Sequence, residues 1–226
     1  MRGGTLVASA VRIAYVVDVH DRFDAVPRAA EQVGPVDLLV VGGDITTGGT
    51  PDDAARAIES WRPLAPRLLA LAGNMDSPAI DARLIELGVA LDARGVRYDD
   101  VGLFGVSAAP ISPLETPYEL PDDELERRVA SGFEAVKDCR VVIFCPHAPP
   151  RGTACDRLPN GEHVGSAVLR AFVEREQPDV VLCGHIHEAR GTDAIGRTAI
   201  VNPGPVAAGH YALLEVDDEV SVRLDP

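Results

Sequence analysis

The sequence predicts an α/β fold, a two-sheet β-sandwich flanked by helices, and three observations carry that reading. Short apolar runs alternate with helical stretches up to about Leu87. The chain is then strand-rich from Val96 to Val106, which is less regular than a simple doubly wound sheet. After His187, three closely spaced segments again have strand character. Two stacked sheets account for both halves, and neither a repeat nor a linker interrupts the 226 residues, which read as one domain spanning residues 1–226.

The strands follow from short apolar runs bounded by turn residues. Residues 13–17, 38–41, 68–72, 141–145 and 180–183 are too short for helices and rich in Val, Ile and Leu, as strands buried on both faces are. Later segments 198–201, 211–216 and 220–224 read as antiparallel strands, the last two joined around Asp217-Asp218. Helices are predicted over 52–61, 77–87, 121–136 and 166–176. Ser77-Pro78 has the form of an N-cap followed by proline at the first helical position, and Ser166 after Gly165 that of a second cap. Residues 108–121, with four prolines and Tyr118, form the longest stretch without periodicity. They read equally as a substrate-facing loop or as a semi-rigid surface connection.

Polar residues follow five of the strands in a repeating way. Asp18-Val19-His20 and Gly184-His185-Ile186-His187 carry donors at i and i+2, which share a direction if the backbone is extended. Gly43-Asp44, Gly73-Asn74-Met75-Asp76 and Cys145-Pro146-His147 lie between them. All sit at carboxyl ends of strands, where open α/β sheets place their sites. Asp18, His20, Asp44, Asn74, His147, His185 and His187 are too many nitrogen and oxygen donors for one ion, so two divalent ions are expected, with a carboxylate such as Asp44 bridging. Imidazole with carboxylate and no thiolate suits manganese, iron, zinc or nickel. Singly, each residue has a structural reading: Asp18 or Asp44 as a cap, Asn74 as a turn residue, His147 as a strand-end side chain.

The ordered series D-x-H, GD, GN-x-D, an isolated His and GH-x-H resembles the calcineurin-like metallophosphoesterase superfamily, and it spans Asp18 to His187. His147-Ala148-Pro149-Pro150, CGHIHEARG at 183–191 and Val201-Asn202-Pro203-Gly204 resemble its small archaeal and bacterial members. The resemblance implies a four-layer αββα fold and hydrolysis of a small phosphodiester or phosphomonoester by a metal-bridging hydroxide. By the same likeness, Asp18, His20, Asp44 and His187 hold a first ion and Asp44, Asn74, His147 and His185 a second, with manganese the leading choice. Asp76 then orients the site from behind the ligands. One residue departs from the pattern: where the superfamily usually has histidine after the GN, this chain has Met75, whose thioether cannot donate a proton. His163, in the 151–165 loop, is a candidate to supply it, with a surface-loop histidine as the alternative. Rival functions are a non-catalytic scaffold on the same fold and a metal-dependent hydrolase of another ester or amide.

Composition narrows the partners. Twenty-one basic against 35 acidic residues give −14, and Lys137 is the only lysine, so no polybasic patch is available for long nucleic acid or a membrane surface. No 18-residue apolar run occurs, and MRGGTLVASAVR is too short and polar for a signal peptide, which leads to a cytoplasmic expectation. Cys139, Cys145, Cys155 and Cys183 contain no C-x-x-C and read as buried thiols, with Cys145 or Cys155 as a catalytic runner-up. Arg151 and Arg190, close to ligand motifs, are candidate phosphate-binding residues, and His210 is assigned no role.

Overall fold

The computed structural model describes residues 10–225, so most of the MRGGTLVASAVR segment lies outside the described residues. The first sheet contains β1 (Val11–Val16), β2 (Leu38–Val41) and β3 (Arg67–Ala70), connected through α1 (Ala25–Val33) and α2 (Pro51–Trp61). Helix α3 (Pro78–Glu86) leads to β4 (Gly95–Tyr98) and β5 (Val101–Val106), then to the two-residue strands β6 (Ala109–Pro110) and β7 (Glu119–Leu120). Helix α4 (Asp122–Glu134), β8 (Val141–Pro146), α5 (Ala167–Glu176) and β9 (Val180–Leu182) follow. The chain closes with β10 (Gly191–Ile195), β11 (Thr198–Asn202), β12 (Tyr211–Val216) and β13 (Val220–Asp225).

The two main sheets have the orders β13-β12-β1-β2-β3 and β10-β11-β9-β8-β5-β4. Strands β1, β2 and β3 run parallel, as do β11, β9, β8 and β5, which leaves antiparallel strands only toward the margins. Alternation along each strand sorts the apolar side chains into two sets. Ile13, Tyr15, Leu38, Val40 and Leu69 cluster with Leu103, Val141, Ile143, Val180 and Leu182, a set drawn from both sheets and from no helix, which is therefore the layer between them. The alternate residues face the helices: Ala14, Val16, Leu39 and Val41 join residues of α1, α2 and α3, while Phe104, Val142 and Phe144 join Phe172 of α5 and Val129 of α4. The result is the helix–sheet–sheet–helix arrangement that the sequence predicts.

Local chemistry explains the helix boundaries. Thr50 and Asp53 form a reciprocal capping box ahead of Pro51, and the hydroxyls of Ser77 and Ser166 accept from Ile80 N and Leu169 N, the two caps expected from the sequence. Trp61 at the end of α2 is fully buried and donates its indole N–H to Phe23 O at 3.1 Å, fastening the segment just after His20. Truncating such a side chain to alanine costs about 3–5 kcal/mol.

Three elements differ from expectation. Helix α1 is absent from the predicted set because Asp24 makes no side-chain cap bond, and Pro27 in the first turn masks the helical signal. Strand β10 is absent from it because Gly191 to Ala194 form no apolar run, and Thr192, Asp193 and Ala194 are exposed at a sheet margin. Strand β11, expected to be antiparallel among the last strands, lies in the other sheet, parallel to β9. The β10–β11 hairpin turning at Gly196 (φ 61°) sets it there. The β12–β13 pair is antiparallel, as expected.

Candidate metal centre

The carboxyl ends of β1, β2 and β3 in one sheet and of β8 and β9 in the other meet at one edge of the sandwich, and all seven predicted ligands follow those ends. Asp18, Asp44, Asn74 and His147 are buried, while His20 and His187 open toward solvent. The convergence does not come from extended i, i+2 geometry. Asp18 (φ 55°), His20 (φ 47°), Asp44 (φ 49°) and His185 (φ 67°) all adopt the left-handed region, in loops beyond the strands. Non-glycine residues held there cost of order 1–3 kcal/mol each and persist where surrounding structure over-determines them.

Backbone ties supply that determination. Asp18 N donates to Gly43 O (3.1 Å) and His20 N to Asp44 O (2.8 Å), which zips the first ligand loop against the second. Met75 N donates to Asp44 Oδ1 at 2.8 Å, and His185 N lies 3.1 Å from Asp18 Oδ2. Glycines make room for these approaches: a Cβ on Gly73 would collide with the Asp44 carboxylate, and one on Gly43 (φ 111°) would stand 2.5 Å from His147 Nδ1.

The imidazoles are pre-aimed. His147 Nδ1 lies 3.0 Å from Gly42 O, which only accepts, so Nδ1 carries the proton and Nε2 faces inward. His20 Nδ1 meets the Thr47 hydroxyl at 3.0 Å, which turns its Nε2 to the centre. There, His20 Nε2 lies 3.2 Å from His187 Nε2 and 3.5 Å from Asp44 Oδ2, while Asp44 Oδ1 lies 3.5 Å from His147 Nε2. Asn74 Oδ1 is 3.0 Å from His147 Nε2 and 2.7 Å from His185 Nδ1. Donor atoms of five of these residues thus converge in two overlapping groups that have Asp18 in common. The groups Asp18–His20–His187 and Asp18–Asp44–His147 each bring their donor atoms within 4.8 Å of one another. Such a donor set fits divalent cations of the borderline kind.

Electrostatics agree with a site built for positive charge. Burial alone would lower the His147 pKa, but the facing Asp44 carboxylate more than offsets it, and the pKa rises to about 9. Burial and then His147 push His185 down to about 4, so that ring is neutral and its lone pair is available. Asp44 itself is lowered: burial opposes ionisation, and His147 and His20 outweigh it.

Asp76 acts on the ligand loops through their backbone. Among the described residues its hydrogen bonds go to no ligand histidine. Its oxygens accept from Ile45 N (3.0 Å), Thr46 N (2.8 Å), the Thr46 hydroxyl (2.8 Å) and Gly73 N (2.9 Å), knotting the Asp44 loop to the Asn74 loop. Burial, followed by the nearby Asp44 charge, raises its pKa to about 6. His163 borders the same cleft as His185, with Nδ1 held 2.7 Å from Asp156 Oδ1. Arg151 lines that cleft too, whereas Arg190 donates to Pro203 O and borders a neighbouring depression.

The thiols play no part in the cluster. Cys145, Cys155 and Cys183 are buried, none of the four cysteines is in a disulfide, and burial pushes Cys155 up to about 12. Thr47, the Gly42 carbonyl and Asn202 are site residues that sequence reasoning did not reach. Asn202 Nδ2 donates to Ile186 O at 2.9 Å and its Oδ1 accepts from Gly204 N at 2.9 Å, so it braces the turn between His185 and His187. Its place in the Val201-Asn202-Pro203-Gly204 string is the one signal that pointed to it.

A family model for calcineurin-like phosphoesterases matches residues 11–189. An uncharacterised protein of Methanocaldococcus jannaschii is 30% identical over 201 residues, covering 86% of this chain and 88% of that protein. Among solved structures, a Thermus thermophilus protein superposes with a TM-score of 0.72 at 18% identity, over 95% of this chain and 99% of the other. A dimetal phosphatase from Danio rerio superposes with a TM-score of 0.61 at 11% identity, over 96% of each chain. At these identities the two structures speak to the fold.

Proposed function

The chain belongs to the calcineurin-like phosphoesterase family and is a metal-dependent phosphoesterase, and from that premise we propose that it hydrolyses a small phosphate monoester or diester using two divalent ions that share Asp44. The observation that carries this reading is the Asp44 carboxylate, whose Oδ2 and Oδ1 lie 3.5 Å from ring nitrogens of His20 and His147 respectively. A side chain so disposed is suited to bridge, and the dimetal phosphatase from Danio rerio has the same fold. Asp18, His20, Asp44 and His187 hold the first ion; Asp44, Asn74, His147 and His185 hold the second. Manganese is our first assignment, ahead of iron, zinc and nickel.

Two bound dications polarise phosphoryl oxygens and acidify water. The chain's own residues do the rest. The Gly42 carbonyl keeps a proton on Nδ1 of His147, and Thr47 turns the His20 ring, so that in both rings Nε2 faces the centre. Asp76 holds the Asp44 and Asn74 loops in register without touching substrate. Met75 offers no proton to a departing oxygen, and His163, steadied by Asp156, supplies it. From its sequence we assign the chain to the cytoplasm as a single domain. Among the described residues no helix is long and apolar enough to cross a membrane.

The test is metal-specific turnover. Protein stripped of metal and resupplied with Mn²⁺, Ni²⁺, Zn²⁺ or Mg²⁺ is assayed on p-nitrophenyl phosphate and bis-p-nitrophenyl phosphate. Metal-dependent release of p-nitrophenol from either is expected. A folded, metal-loaded protein inert on both favours the scaffold reading.

A further inference from the structure

We propose that the cleft beside His185 is a leaving-group subsite selecting phosphate esters that carry a bulky, uncharged apolar organic group, an inference that rests on the phosphoesterase reading above. The cleft, about 560 Å³, is lined by His185 and Ile186 and also by Ile111, Pro113 and Leu114. Ile111 and Leu114 are 69% and 79% exposed, and with Ile85 they are the exposed large hydrophobics among the described residues. Two of three such side chains thus stand on one loop, in a cleft that also holds a candidate ligand.

That loop is constructed rather than slack. The Glu119 carboxylate accepts from Ser112 N (3.0 Å), the Ser112 hydroxyl (2.8 Å), Thr116 N (3.0 Å) and the Thr116 hydroxyl (2.8 Å). The Ser112 hydroxyl in turn accepts from Leu114 N at 3.2 Å. Polar atoms are consumed inside the loop while its apolar side chains face out. Pairing of β6 with β7 closes the base, and Tyr118 N donates to Asn74 O at 3.0 Å, which sets the apolar wall at a fixed distance from a candidate ligand.

Charge along the cleft orients the occupant. Arg151, whose guanidinium has no carboxylate partner among the described residues, lines it together with His163 and the candidate ligand His185, so the cleft has groups that attract an anionic phosphoryl group. Asp122 and Glu162 also line it, which disfavours a leaving group with charges of its own, such as a further phosphate. A neutral aryl or branched alkyl group extending toward Ile111 and Leu114 meets both demands, because burying it removes apolar surface of both partners from water.

Inert phosphonates separate this idea from the reading beneath it. Binding of methylphosphonate and benzylphosphonate to the Mn²⁺-loaded full chain is measured by titration calorimetry. Benzylphosphonate should bind roughly tenfold tighter, as one modest apolar contact allows. The double variant Ile111→Ser, Leu114→Ser, at exposed positions, should keep the wild-type melting temperature and methylphosphonate affinity while the ratio falls toward one. Equal affinities in the wild type, or a ratio unmoved in the variant, overturn the subsite and leave the phosphoesterase reading standing. Failure of both phosphonates to bind overturns both.

Discussion

Nε2 of His20 and Nε2 of His187 lie 3.2 Å apart, although the two residues are 167 positions apart in the chain. Two ring nitrogens at that distance need either one shared proton or a common cation. His20 and His187 would be suited to hold one divalent ion together. His20→Ala and His187→Ala should therefore empty mainly the first ion position, and His147→Ala and His185→Ala mainly the second. Metal analysis of each variant, with occupancies at the absorption edge, reads this directly; the opposite pattern reverses the pairing.

Asn202 should matter to metal affinity without being a ligand. It is fully buried and braces the Ile186 carbonyl between His185 and His187. Asn202→Ala should weaken metal binding about 10–100-fold, as loss of outer partners commonly does. It should also lower stability by about 1–3 kcal/mol through unsatisfied carbonyls. Unchanged metal affinity in a folded variant would remove Asn202 from the site.

Much of this centre was legible in the sequence because the ligand motifs follow apolar strands, and Asp44, Asn74, His147 and His185 each come directly after a glycine or proline, a pattern local in the chain. The way Asp18 and His20 converge was not legible. Their left-handed backbone is imposed by bonds to Gly43 O and Asp44 O, which no local spacing encodes. Thr47 and Asn202 escaped for the same reason: each acts through a partner brought near by the fold. The sheets followed from buried runs such as Leu38–Val41, while polar β10 and uncapped α1 lacked the signals that strands and helices usually carry.

Leaving-group dependence probes Met75 and His163. If His163 protonates the departing oxygen, His163→Ala should slow alkyl esters far more than p-nitrophenyl esters, by about 10²–10⁴-fold. Met75→His should partly restore them. A wild type indifferent to leaving-group pKa and unaffected by His163→Ala excludes both residues from that step.

Stability should carry a signature of Asp81. Burial, reinforced by the Asp92 carboxylate, raises its pKa to about 6, above the unfolded value near 4. The folded state therefore binds the proton more tightly. The associated stability is present below pH 4 and is lost as pH rises through 6. Asp81→Asn should abolish that part of the pH dependence, so the gap between variant and wild type shifts toward the variant between pH 4 and 7. Parallel urea-denaturation profiles across this range would contradict it.

Anomalous scattering from crystals of the Mn²⁺-loaded protein tests the central claim most directly. Two peaks about 3.5–4 Å apart, one on each side of Asp44, are expected in the wild type, with loss of metal and of turnover in Asp44→Asn. A fully active protein showing a single peak, or an Asp44→Asn variant retaining two ions and full activity, would contradict the account.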